Sequence, residues 1–167
     1  LVDHVVNLID YRVDLALRVG ALPDSSLLAT RVGYIRKITC ASPDYLKQRG
    51  TPQSFKELVS HDCITHESNL VISPWSFFDG KENHSINVHS RLTVTTAEAA
   101  IDASVQGLGI TRVLSYQIAH LPAESLEVIL KDVEPEPLPV SLLYPNSRVL
   151  PQKLRAFIDF TAPRLKA

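Results

Sequence analysis

Residues Tyr11–Gly20, YRVDLALRVG, decide how the chain is read. Val13, Leu15, Leu17 and Val19 alternate with Asp14, Ala16 and Arg18, the two-residue period of a strand. Apolar residues occupy both faces, which suits a strand covered on both sides within an α/β domain. Ahead of it Val2, Val5, Val6 and Ile9 recur at helical spacing. A helix leading into a strand is half of a βαβ unit, and in open α/β sheets ligands gather beyond the carboxyl ends of the strands. Here that end is Arg18-Val19-Gly20, a cation followed by a flexible glycine.

Outward from this strand the same alternation of elements continues. Ala21–Thr30 carries Pro23, Asp24 and a serine pair and reads as a loop. Val32–Cys40 reads as one strand. Ser42 as N-cap, Pro43 in the first turn and Gly50 at the end frame a helix. Ser54 and Glu57 form a capping box for a second, short helix. Cys63–Thr65, Pro74–Phe78, Ile86–Val88 and Leu92–Thr95 are strand candidates, the middle two joined by the polar turn Asp79–His84. Thr95 with Glu98 caps the clearest helix, with Ala97, Ala100, Ile101, Val105 and Leu108 along one stripe and Gly107 and Gly109 at its end. Ile110–Leu114 runs as strand or loop into a short helix around Tyr116–Ala119, and Leu126–Leu130 and Val140–Tyr144 are strands around the stiff connector Glu134–Pro139. Pro151 opens a last helix with Leu154, Phe157, Ile158 and Leu165 inward, which Pro163 should end or kink. The alternation implies an α/β fold with mainly parallel pairing.

Composition narrows the function. Of 167 residues, 45% are hydrophobic and 21% charged, so a packed core is expected. A net charge of −1 argues against direct nucleic-acid binding by these residues. No apolar run spans a bilayer, and two cysteines, Cys40 and Cys63, make no disulfide framework, so the expected setting is the reducing cytoplasm, away from membranes. The nucleophile elbow, the P-loop and the zinc-protease HExxH pattern are missing from the sequence. Gly107-Leu-Gly109 reads as a helix end, not as a dinucleotide fingerprint. His61-Asp62-Cys63 with His66, and His84 with His89 later, lack the paired spacing of a zinc site. Cys63 reads as the start of a buried strand and so as inert packing. No cofactor, metal or catalytic residue is expected.

The ordered phrases VDLALRVG (13–20), LPDSSLLATRVG (22–33), CASPDYL (40–46), GTP (50–52) and HDCI (61–64) resemble the effector-binding domain of LysR-type transcriptional regulators. The resemblance implies two α/β lobes of the periplasmic-binding-protein-like (type 2) fold, crossed near Ala41–Ser42 and Val140–Leu143. Lobe I would be 1–41 with 142–167, and lobe II 42–141. It also implies that a winged helix-turn-helix, a linker helix and the first strands of lobe I precede Leu1. Lobe I would then be incomplete, with the strand Val13–Val19 at or near a sheet edge. DNA would be bound only through the absent N-terminal part, with a homo-oligomer, dimer or tetramer, in the whole regulator. A small organic anion is the expected effector, held between the lobes. Arg18, Val19, Gly20 and Leu142 would contact it from one side, and His66, Thr95, Thr96 and Ala97 from the other. An arginine fork and a helix N-terminus are natural partners of a carboxylate. The rival readings are a transporter's solute-binding protein, with the same lobed fold, and a small hydrolase-type enzyme. Trp75 could line the cleft or pack in lobe II.

Overall fold

A computed structural model describes residues 13–22, 27–67, 73–145 and 151–165. In chain order these form β1 (Ala16–Val19), β2 (Leu27–Ile35), β3 (Lys37–Ala41), α1 (Pro43–Arg49), β4 (Cys63–His66), β5 (Trp75–Phe78), β6 (Asn83–Ile86), β7 (Ser90–Val94), α2 (Ala97–Val105), β8 (Ile110–Leu114), β9 (Glu127–Ile129), β10 (Leu138–Pro145) and α3 (Gln152–Leu165). Short 3-10 turns occupy Phe55–Ser60, Ser115–Ile118 and Lys131–Val133. The helix pattern at Val2–Ile9 and the turn residues Pro23 to Ser26 lie outside the described residues.

The described residues divide into two units, one within 36–136 and one made of those within 13–35 and 137–165. The sequence placed these bounds at 41/42 and 141/142. The difference has a single cause at the first bound. Val32–Cys40 is two strands, not one: Arg36 separates them, β2 pairs with β10, and β3 pairs with β8 and β9. Residues 37–41 therefore belong to the later sheet. At the second bound, β10 begins at Leu138, earlier than the expected Val140, and all of it pairs with β2.

The larger unit holds a five-stranded sheet, order β7-β4-β8-β3-β9, and the hairpin β5-β6. Both faces of this sheet are covered. In β3, Ala41 packs with Tyr45 and Leu46 of α1 and with Leu58, Trp75 and Phe77, while Ile38 and Cys40 pack with Ala97 and Ile101 of α2 and with Val113. A strand buried on two faces needs apolar or small residues at consecutive positions, which is why ITCA (38–41) does not alternate in polarity. Ser42 accepts from the Tyr45 N–H at 3.3 Å and Pro43 fills the first turn of α1, as the sequence indicates. Gly109 is fixed by close approach: a Cβ there would stand 2.4 Å from the Asp62 carbonyl oxygen, the group that accepts the Ile110 N–H at 2.9 Å.

The smaller unit is a three-stranded sheet, order β1-β10-β2, with Val32 and Leu142 packed on Leu154, Ile158 and Ala162 of α3. Among the described residues β1 is an edge strand, as expected, but it is shorter than Val13–Val19 and not covered on both faces: Leu17 is 54% exposed. Phe157 and Leu165, expected inward, are exposed, and Ala162 takes a core place instead. Pro163 sits inside α3 without ending it, because in the last turn few hydrogen bonds remain to be lost.

Five of the seven strand pairings among the described residues are antiparallel, against the expected mainly parallel pairing. The strands next to the passages between units, β2, β3 and β10, supply four of them. Only β4 is flanked by parallel neighbours, β7 and β8.

Candidate functional site

The parallel strands β4 and β7 end side by side, with His66 opposite Val94. The Glu67 N–H donates to the Val94 carbonyl at 3.0 Å, carrying the pairing one residue further. Beneath this end the Thr65 hydroxyl meets Ser90 Oγ at 2.7 Å and Thr93 Oγ1 at 3.1 Å, which fixes the register. Two residues beyond Val94 the chain enters α2. Thr96 is its N-cap, accepting the Ala99 N–H at 3.2 Å. Thr95 and Thr96 are both exposed, and Ala97 is buried against the sheet. His66, Thr95 and Thr96 are thus brought together at one sheet end, before free backbone N–H groups of a nine-residue helix.

A hollow of about 50 Å³ opens beside His66, lined by Lys37, Thr65, His66, Glu67, Ser73, Pro74, Trp75 and Arg112. Arg112 comes from the middle of β8 and is 4% exposed. It donates from Nη2 to the Ser76 carbonyl and lies 4.5 Å above the Phe77 ring centre. Its Nε is buried and has no hydrogen-bond partner among the described residues. Burial pushes the guanidinium down to about 10, so it is still a cation at neutral pH. Burial and the neighbouring Arg112 charge also lower the Lys37 amine, against an opposing pull from Glu67. A larger depression of about 500 Å³ between Arg36, Pro43, Ala123 and Lys131 is open to solvent, and its Arg36 is already held by both Glu134 oxygens at 2.7 Å.

In the smaller unit Arg18 lies opposite Ser141 in the β1–β10 ladder, and Val19 opposite Val140. Arg18 is half-buried, and its Nε is fully covered without a hydrogen-bond partner among the described residues. The nearby Asp14 pairs with Lys153 at 2.9 Å. Gly20 follows at φ +102°, donating its N–H to the Pro139 carbonyl at 2.9 Å. That φ favours glycine, so the chain can turn sharply after Arg18.

The model of the family described as the LysR substrate binding domain matches residues 2–166. The chain belongs to this family. The HTH-type transcriptional regulator YhjC of Escherichia coli, itself uncharacterised, is 31% identical over 98% of this chain and 56% of its own length. The HTH-type regulator CrgA of Neisseria meningitidis is 30% identical over 96% of this chain and 54% of its own. The solved regulatory domain of CrgA superposes with a TM-score of 0.79 at 30% identity, covering 96% of this chain and 79% of that one. The chain thus spans about half the length of the curated relatives it matches. These relatives are regulators of transcription, which decides against the transporter reading, and a family of regulators is not a family of enzymes.

Within this LysR-type domain the expected site residues fall into two groups, one on each unit. Arg18, Val19, Gly20 and Leu142 lie on the smaller, and His66 with Thr95, Thr96 and Ala97 on the larger. Two of the expected contacts have buried side chains. Leu142 is 2% exposed in the core beneath α3, and Ala97 1% exposed on the sheet-facing side of α2. The cap is Thr96, not Thr95, because β7 runs on to Val94 and Thr95 is spent on the turn. Trp75 both packs with Phe77 and reaches the hollow. Cys40 and Cys63 are buried free thiols that burial pushes up to about 12, which makes them poor nucleophiles. The His61 Nδ1 shares a hydrogen bond with the Tyr45 hydroxyl at 3.1 Å. Sequence reading missed Arg112 and Lys37. The available signal was an arginine inside the otherwise strand-like run ITRVL (110–114), with no alternation to carry it to solvent.

Proposed function

We propose that the chain is the effector-sensing part of a LysR-type transcriptional regulator and that its effector is a small organic anion. Arg18 and the neighbouring Val19 and Gly20 contact that anion on the smaller unit. His66, Thr95 and Thr96 contact it on the larger. The observation that carries the reading is the Arg18 Nε, covered and without a hydrogen-bond partner among the described residues at the end of a strand. A guanidinium held this way gains from an incoming carboxylate, which replaces hydrogen bonds already lost to burial. The exposed Thr95–Thr96 helix start offers the complementary donors. Ligand shifts the regulator between conformations only by its differential affinity for them. In the whole protein that shift would pass through a homo-oligomer to a DNA-binding segment in the cytoplasm, with no reaction catalysed.

Calorimetry against a panel of small carboxylates tests the ligand class. A charged hydrogen bond contributes about 1.5–3 kcal/mol. Arg18→Ala should weaken binding about tenfold to a hundredfold, at 1.4 kcal/mol per factor of ten. Arg18→Lys should recover part of this, lacking the bidentate fork. An effector bound equally by wild type and Arg18→Ala removes Arg18 from the site.

A further inference from the structure

The larger unit contains a buried cation with no directly bonded counter-charge among the described residues: Glu134 acts on it only through space and is itself held by Arg36. Arg112 is 4% exposed, forms no ion pair among the described residues, and leaves Nε without a partner. Burying a charge is costly unless it is paired and hydrogen-bonded. Its aromatic neighbours, Phe77 at 4.5 Å and Trp75 at 5.9 Å, compensate only in part. Lys37 adds a second positive charge, close enough for the Arg112 charge to help lower its amine. The registers explain the proximity. Arg112 lies opposite Thr39 and Lys37 opposite Leu114, so Lys37 and Arg112 are diagonal neighbours on one face of the β3–β8 ladder. Two like charges beside one another in a partly dry place favour an anion between them.

We infer that the hollow at Arg112, Lys37, His66 and Trp75 is a binding subsite for a single carboxylate group. Three features fix the class. The volume, about 50 Å³, has room for a few water-sized groups and no more. Glu67 also lines the hollow, accepting the Ser73 N–H at 3.1 Å, so its charge offsets one of the two cations and a monovalent head suits the remainder better than a dianion. The planar guanidinium offers parallel N–H donors to two oxygens, the geometry of a carboxylate. The subsite is made by the larger unit alone. It shares His66 with the effector reading above and on that side rests on it, but it needs no residue of the smaller unit.

The probe is sodium acetate, against sodium chloride at equal ionic strength and fixed neutral pH, on the whole chain. The arginine Nε–H signal of Arg112, labelled with ¹⁵N and assigned by comparison with Arg112→Lys, reports the contact directly. Acetate should shift that signal saturably, and chloride should not. Lys37 reaches solvent, so Lys37→Gln is expected to keep the fold and to weaken acetate binding by about tenfold. Arg112→Met should abolish the acetate-dependent rise in melting temperature. The Arg112 Nε shift is read on the larger unit alone, so it tests this subsite separately from the effector reading above, whose own test is the carboxylate affinity of Arg18→Ala. The inference is overturned if the Arg112 signal does not respond to acetate, if chloride moves it equally, or if Lys37→Gln binds acetate as wild type does. Should Arg112→Met fail to fold, the Nε signal and Lys37→Gln still decide.

Discussion

Replacing Gly109 with alanine pits two effects of opposite sign against each other. Gly109 has no positive φ, so alanine can adopt its backbone. By chain entropy alone Gly109→Ala would stabilise the protein by about 0.4–1 kcal/mol. The structure predicts the reverse. The new Cβ would lie 2.4 Å from the Asp62 carbonyl oxygen and 3.0 Å from its carbon, both backbone atoms that cannot swing away. Relief requires the Asp62–Cys63 backbone to move off β8. Overpacking of this kind costs about 1–3 kcal/mol. The 2.9 Å bond from the Ile110 N–H to the same carbonyl would stretch, losing about 1 kcal/mol more. The net expectation is destabilisation by about 2 kcal/mol, read as a lower urea midpoint with unchanged slope. Gly50→Ala is the comparator: its φ is +85° but nothing lies within 4 Å, so it carries backbone strain without the clash. Faster amide exchange at Ile110 in Gly109→Ala would localise the damage. A Gly109→Ala protein as stable as wild type would refute the close approach of β4 and β8 on which the position of His66 depends.

Burial first, and then the Arg49 charge, hold His61 below its ordinary value of 6.5. The unfolded chain therefore takes up a proton that the folded one resists. Stability should be whole above about pH 6.5 and fall as acid carries the pH down toward the folded value, by at most about 1.4 kcal/mol per pH unit from this group. Urea midpoints across pH 5–8 should show this slope reduced in His61→Gln, and an unchanged slope would refute it. Leu142→Ala should cost about 2–5 kcal/mol of stability, as expected of a core residue; a stable Leu142→Ala protein with weakened ligand binding would instead return Leu142 to the site. With both thiols pushed up to about 12, Cys40 and Cys63 should react with a disulfide reagent only after denaturant is added. Rapid labelling of the native chain would contradict their burial.

The sequence by itself determined the local grammar of the chain. Ser42-Pro43 with Gly50 marked α1 because caps and first-turn prolines act within a few residues. The stripe of α2 and the strand β5 were equally visible, since periodicity is a short-range property, but the partner strand of β5 is Asn83–Ile86, not the expected Ile86–Val88, so the turn is shorter than Asp79–His84. The ordered phrases from 13 to 64 identified the family. Tertiary structure decided what depends on partners far along the chain. The break at Arg36 is invisible in TRVGYIRKITC (30–40), because only the separate pairings of β2 with β10 and of β3 with β8 divide that run. Strand direction is likewise a property of neighbours, so the parallel reading failed where β3 and β10 enter their sheets against the others. Leu142 and Ala97 sit at the right places in the chain for a site, yet their burial is set by α3 and by the sheet beneath α2. Arg112 shows the limit most clearly. One arginine in a strand is ordinary as sequence; it becomes a candidate site only when Lys37, 75 positions earlier, is set diagonally beside it and no carboxylate among the described residues forms an ion pair with it.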